Sequence, residues 1–186
     1  MDDRLDAKAA GLDSVIVSGP RLVVLRSASF LGFDSRELCQ VIAVELASVG
    51  RLVVLTGGRD GVGLTFGRSF AEARHAAGLS ENLFHLLPRG LGPCDCVVTL
   101  GAGGDFHERR EVLGRVGHVC RVIEGGSGTE HEVTVASCRG IPVIPLGRRG
   151  GHAGDLHSRL PCPPWAPAID WAFLGDTTTR TSCPGS

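Results

Sequence analysis

Four stretches of the chain have residue types and spacing suited to holding an anion: TGGRDGVG at 56–63, LGAGGD at 100–105, EGGSGTE at 124–130 and LGRRGGHAGD at 146–155. In each, glycines end a short apolar run. Glycine lets backbone amides come close to an anion, and a helix starting there aims unpaired N–H groups and the positive end of its dipole at it. A phosphate fits such a place without any basic side chain. The same glycines also make plain tight turns, so residue type alone leaves both readings open. Glu132 has a similar double reading, because Thr129 with Glu132, like Asp105 with Glu108, has the spacing of a capping box. Two nucleotide classes lose ground: GAGGD does not complete a dinucleotide fingerprint, and no Gly-Lys-Ser/Thr of a phosphate-loop NTPase occurs.

Loops of this kind need strands to end on them and helices to leave them. Short apolar runs supply the strands: RLVVL at 21–25, LVVLTGG at 52–58, NLFHLLP at 82–88, CVVTLG at 96–101, HVCRVIEGG at 118–126 and IPVIPLG at 141–147. Between them the spacing predicts helices from Asp34 to Gly50, from about 62 to 77, from 105 to about 114 and from 129 to 139. In the first, Leu38, Val41, Ile42, Leu46 and Val49 form the apolar stripe, Asp34 with Glu37 fits a capping box, and Gly50 suits the end. The strands are continuous Val, Ile and Leu runs rather than period-two alternations, which favours a parallel sheet covered on both faces. The expected fold is α/β: a Rossmann-like doubly wound parallel sheet in a single domain over 14–175, with flexible ends at 1–13 and 176–186. Ligands of such sheets collect at the carboxyl ends of the strands, where the glycine stretches fall.

Composition agrees with one compact body. The chain has 186 residues, 42% hydrophobic and 21% charged, and 27 glycines, enough for one sizeable core and too few for two ordinary domains. A formal net charge of -1, with arginines spread among acidic residues, offers no basic face to a nucleic-acid polymer. No uninterrupted apolar run is long enough to span a bilayer, and MDDRLDAKAA lacks the form of a secretory signal. A cytoplasmic protein without a membrane partner is expected. The seven cysteines, an odd number, are then read as thiols rather than a disulfide framework. Only Cys94 and Cys96 lie close together, as C-x-C without a second cluster, so neither a metal nor a cofactor is expected.

Taken together, FHERREVLG at 106–114 and EGGSGTEHE at 124–132 resemble the paired motifs of the lysine decarboxylase-like family, whose best-known members are the cytokinin riboside 5'-monophosphate phosphoribohydrolases, or LOG proteins. That family has an arginine in a Met-His-x-Arg-Lys-like helix and, sixteen residues on, the first glycine of Pro-Gly-Gly-x-Gly-Thr-x-x-Glu. Arg109 and Gly125 are sixteen positions apart here. LTGGRDGVG is similar to the family's first glycine-rich strand end, so the likeness runs over roughly 15–150. The wider SLOG superfamily also includes molybdenum-cofactor carriers and the N-terminal domains of melastatin-type channels.

The resemblance implies a catalytic pair, Arg109 and Glu132, with Gly125, Gly126, Gly128 and Thr129 around the phosphate of a nucleotide and Gly57, Gly58 and Gly61 lining the same cleft. Cleaving an N-glycosidic bond builds oxocarbenium-like charge that a carboxylate such as Glu132 can stabilise while it orients water. Arg109 stays protonated and can hold a phosphate or ribose oxygen. His107 and His131 flank the pair as alternative proton donors or as ordinary helix-surface histidines. The chain departs from the family at Glu124, which replaces the motif proline and puts a negative charge near the phosphate unless it turns away or pairs with an arginine such as Arg148. Phe106 stands in place of methionine, and Glu130 and His131 in place of Leu-Glu. Arg148 or Arg149 can alternatively meet a second phosphate, as in an ADP-ribose-like ligand.

The leading expectation is therefore a nucleoside 5'-monophosphate phosphoribohydrolase-like enzyme acting as a homodimer. The alternatives are a non-catalytic SLOG-type nucleotide sensor or molybdenum-cofactor carrier, and a structural subunit with a vestigial site.

Overall fold

A computed structural model describes residues 21–27, 33–92, 97–146 and 151–159 of the chain. The expected flexible ends, the C-x-C pair and Arg148 with Arg149 lie outside these residues. Six strands and five helices are described: β1 (Arg21–Ser27), α1 (Phe33–Ala47), β2 (Leu52–Thr56), α2 (Val62–Ala76), β3 (Leu83–Leu87), β4 (Val98–Gly101), α3 (Phe106–Arg115), β5 (Val119–Ile123), α4 (Ser127–Cys138), β6 (Val143–Leu146) and α5 (Gly151–Arg159). The sheet order is β4-β3-β2-β1-β5-β6, and every pair is parallel. The expected single α/β domain with a doubly wound parallel sheet is what forms. The chain lays down β1 to β4 in one direction and then places β5 on the other side of β1. That reversal leaves a crevice beyond the carboxyl ends of β1 and β5, and Glu124, Gly125 and Gly126 follow β5 directly into it.

The central strand β2 is an apolar run because both of its faces are covered. Leu52 and Val54 of β2 join Leu38, Ile42, Phe66 and Phe70 beneath α1 and α2. Their neighbours Val53 and Leu55 point the other way, to Val112, Leu113 and Val116 of and just after α3. A third cluster joins Cys120 and Val122 of β5 to Val133 and Ala136 of α4 and Ala153 of α5.

The stripe of α1 is rotated from the expected one. Leu38, Cys39, Ile42, Ala43 and Ala47 are its buried residues, since the small Ala43 and Ala47 let α2 approach closely. Val41 and Val49 are instead 47% and 46% exposed, and Val49 lies past the helix, which begins at Phe33, one residue before its expected cap. At the amino edge of the sheet, the far side from the crevice, Arg74 is buried and ties the two helices together. It donates to the carbonyls of Ala47 at 3.3 Å, Val49 at 2.9 Å and Ser80 at 2.6 Å. Carbonyls at a helix end welcome such a cation.

On the opposite face, α3 and α4 pack closely at Gly114. A Cβ there would stand 2.6 Å from Cβ of Val135 and 3.0 Å from the Glu132 carbonyl. Glycine inside a helix costs about 1 kcal/mol against alanine, and here it permits the approach that brings α3's inner residues to Glu132. The fifth helix was not foreseen: residues 151–155 belong to α5 rather than to a loop. Among the described residues no helix is long and apolar enough to cross a membrane.

Candidate functional site

Asp105 accepts from the Glu108 amide at 2.8 Å, as its capping-box spacing predicts. Glu108 reaches back to the Gly104 amide at 3.0 Å, one residue before the cap. With α3 set in this way, Arg109 one turn in points inward and is 6% exposed. Its Nη1 donates to Glu132 Oε1 at 2.6 Å, and Glu132 is 5% exposed. Burying either charge alone would be costly, so each requires the other. The β2 end also makes room for this pair: a Cβ on Gly57 would lie 3.3 Å from both Nη atoms of Arg109. Phe106, where the resembled family has methionine, has the guanidinium carbons of Arg59 and Arg109 each 5.6 Å from its ring centre, a cation–π contact at both.

The four glycine stretches divide into two open helix starts and two closed ones. The α2 start is open at its tip, since Gly61 (φ 96°) has no side chain to cap it, while the Leu64 amide further in donates to the Arg59 carbonyl at 3.2 Å. Just before it, Gly58 (φ 58°) donates to Thr56 Oγ1 at 3.0 Å, and a Cβ there would strike His85 at 2.8 Å. The α4 start is open too, opened by Gly126 with no side-chain cap. Here the expected capping box does not form. Thr129 is already inside the helix and buried, against Gly125 (φ 106°), while Glu132 faces Arg109 rather than the helix start.

The other two starts are taken. Asp105 and Glu108 occupy the α3 start. At α5, the amides of His152 and Ala153 donate to the carbonyls of Gly125 at 2.8 Å and Glu124 at 3.0 Å. The fourth stretch is thus a support for the third, and α5 pulls those two carbonyls to its own side. Gly151 (φ 60°) is needed for the contact, as its Cβ would stand 2.6 Å from the Gly125 oxygen. Arg148, expected near a phosphate, lies outside the described residues.

Glu124 departs from the motif proline in backbone as well as charge. Its φ is 52°, whereas proline is locked near -65°, so this loop follows a course that the proline would not permit. Its carboxylate acts on Cys39 of α1. Burial pushes that thiol up to about 12, with Arg36 opposing the rise and Glu124 adding to it. A thiol so protonated is no nucleophile.

The structure brings together Arg109, Glu132 and Gly57, and sets Gly125, Gly126, Gly128 and Thr129 at the open start of α4. Of the two histidines, His131 has Nε2 2.5 Å from Glu111 Oε1, and its ring lies 5.0 Å from that of His107. Glu111 also takes Arg115 one turn on. Two residues near the site were missed: Arg59 with its Phe106 contact, and Arg110, which crosses Gly128. The run Arg109-Arg110 was the only sequence signal for the last. Among the described residues no three His, Cys, Asp or Glu side chains converge to hold a metal.

No protein-family model and no curated protein sequence matches the chain. Solved structures do. TM1055 is 28% identical with a TM-score of 0.64, covering 76% of this chain and 82% of its own. DNA processing protein A from Helicobacter pylori, described for its single-stranded DNA binding, is 16% identical with a TM-score of 0.60, over 79% and 76%. The molybdenum cofactor carrier protein from Chlamydomonas reinhardtii is 21% identical with a TM-score of 0.53, over 67% and 74%. These are Rossmann-like folds of SLOG type, the kind implied by the paired motifs.

Proposed function

We propose, from a SLOG-type fold in which two open helix starts accompany a buried Arg109–Glu132 pair, that the protein binds a nucleotide and hydrolyses the N-glycosidic bond of a nucleoside 5'-monophosphate. The observation that carries the reading is the 2.6 Å contact between Arg109 and Glu132. It joins the two residues for which the motif resemblance implies catalysis, although β5 and two turns separate them in the chain.

In this reading Gly125, Gly126, Gly128 and Thr129 receive the phosphate at the α4 start, and Gly57, Gly58 and Gly61 line the facing wall. Arg109 holds the Glu132 carboxylate in one orientation, and its remaining donors meet a phosphate or ribose oxygen. Glu132 then stabilises positive charge developing on the ribose and orients the attacking water. The resemblance also supports a cytoplasmic homodimer with helices near the motif at the interface.

A second reading, a carrier or sensor that holds a nucleotide-like ligand without cleaving it, is favoured by Glu124. Its positive φ changes the loop in which the hydrolase motif has proline. The test is incubation with a panel of nucleoside monophosphates, following free base by chromatography. Release that is lost in Glu132→Gln and in Arg109→Ala supports hydrolysis. Release unchanged in Glu132→Gln removes the catalytic assignment, and thermal stabilisation by a nucleotide without release favours the second reading.

A further inference from the structure

Arg110 follows Arg109 but faces elsewhere. A Cβ on Gly128 would stand 3.0 Å from its Nε, 3.2 Å from Cζ and 3.3 Å from Nη2. The guanidinium therefore lies against the first turn of α4, where a side chain at 128 would crowd it. This is the turn that Gly126 opens without a side-chain cap, and Gly126 and Ser127 are exposed beside it.

Three of the nearby carboxylates have other partners. Glu108 accepts from the Gly104 amide, Glu111 takes Arg115 and His131, and Glu132 takes Arg109. Among the described residues no carboxylate pairs with the half-buried Arg110. A fork of five donors with permanent charge thus stands unpaired, among the described residues, at a helix start without a side-chain cap, with Glu130 in its first turn and Glu124 just before it.

We propose that Arg110 reads the phosphate: its guanidinium binds the phosphate oxygens of the ligand at the α4 start and makes the site choose phosphorylated over unphosphorylated nucleosides. This rests on the reading that the site holds a nucleotide. Arg110 touches neither member of the Arg109–Glu132 pair in this role, so its contribution falls on ligand selection rather than on bond cleavage.

The test compares the affinities of the full-length protein for AMP and for adenosine, with inorganic phosphate as a competitor, in the wild type, Arg110→Ala, Arg110→Lys and Arg139→Ala. Arg139 is an exposed arginine at the far end of α4 and controls for net charge. A charge-assisted contact of this kind corresponds to about a ten- to hundredfold preference. The wild type and Arg139→Ala should favour AMP by that factor and lose AMP to phosphate competition. Arg110→Ala should bring the two affinities together while leaving adenosine unchanged, and Arg110→Lys should fall between because it keeps charge but not the fork. An AMP-to-adenosine ratio unaltered in Arg110→Ala overturns this inference and leaves the nucleotide site standing. Equal weakening of both ligands overturns it as well, since that marks a merely structural role. A wild type that binds neither AMP nor any other nucleotide of the panel overturns the site reading and this inference with it.

Discussion

Arg109 and Glu132 meet at 2.6 Å with side chains 8% and 6% exposed, at a point where α3 and α4 are brought close by Gly114. Removing one partner of such a pair leaves a charge without compensation, at a cost of about 3–5 kcal/mol. Arg109→Met and Glu132→Leu should each lower unfolding stability by about that much. The double variant should lose clearly less than the sum, because both charges leave together. Urea unfolding of the four proteins checks it, and strict additivity would show that the contact carries no coupling.

Two glycines with similar left-handed backbones separate strain from crowding. Gly140 has φ 70° and open space where a Cβ would go, while Gly151 has φ 60° and the Gly125 oxygen 2.6 Å from that point. Gly140→Ala should cost about 1–2 kcal/mol, the left-handed penalty alone. Gly151→Ala should cost more and should also weaken ligand binding, since the α5 amides can no longer hold the carbonyls of Glu124 and Gly125. Equal costs, with binding untouched, would remove α5 from its supporting role.

Glu111 predicts a pH effect with a definite sign. Burial raises its pKa, but the hydrogen bond and charge of Arg115, and then those of His131, outweigh burial and hold it below the usual 4.5. A carboxyl with a lowered native pKa contributes stability that is full above its unfolded value and is lost as pH falls through the native one. The wild type should therefore lose stability more steeply than Glu111→Gln as pH drops below about 4.5, measured by denaturant midpoints across an acid series. Parallel curves would deny the contribution.

The strands were legible because both faces of the sheet are covered, so β2 reads as an apolar run and β3 as one interrupted only by the buried His85. Arg109 and Glu132 were legible only through motif spacing, since their contact depends on a helix crossing that no local pattern records. Thr129 and Glu132 have the spacing of a cap, yet Gly125 and Gly126 start the helix earlier and turn Glu132 toward Arg109. The helix at 151–159 was missed because its glycine-rich start reads as a loop. What fixes that start is a distant partner, the carbonyls of Glu124 and Gly125. Arg110 escaped notice for the same reason: its place across Gly128 is set by how α3 lies on α4.

In the proposed function a nucleotide sits at the open starts of α2 and α4, around Arg109 and Glu132. Amide hydrogen exchange with and without a bound nucleoside monophosphate tests this most directly. Peptides covering 56–63 and 124–132 should gain protection, while those covering 102–106 and 151–155, whose helix starts are already occupied, should change little. Protection centred on the α3 or α5 starts, with 56–63 and 124–132 unaffected, would contradict the account.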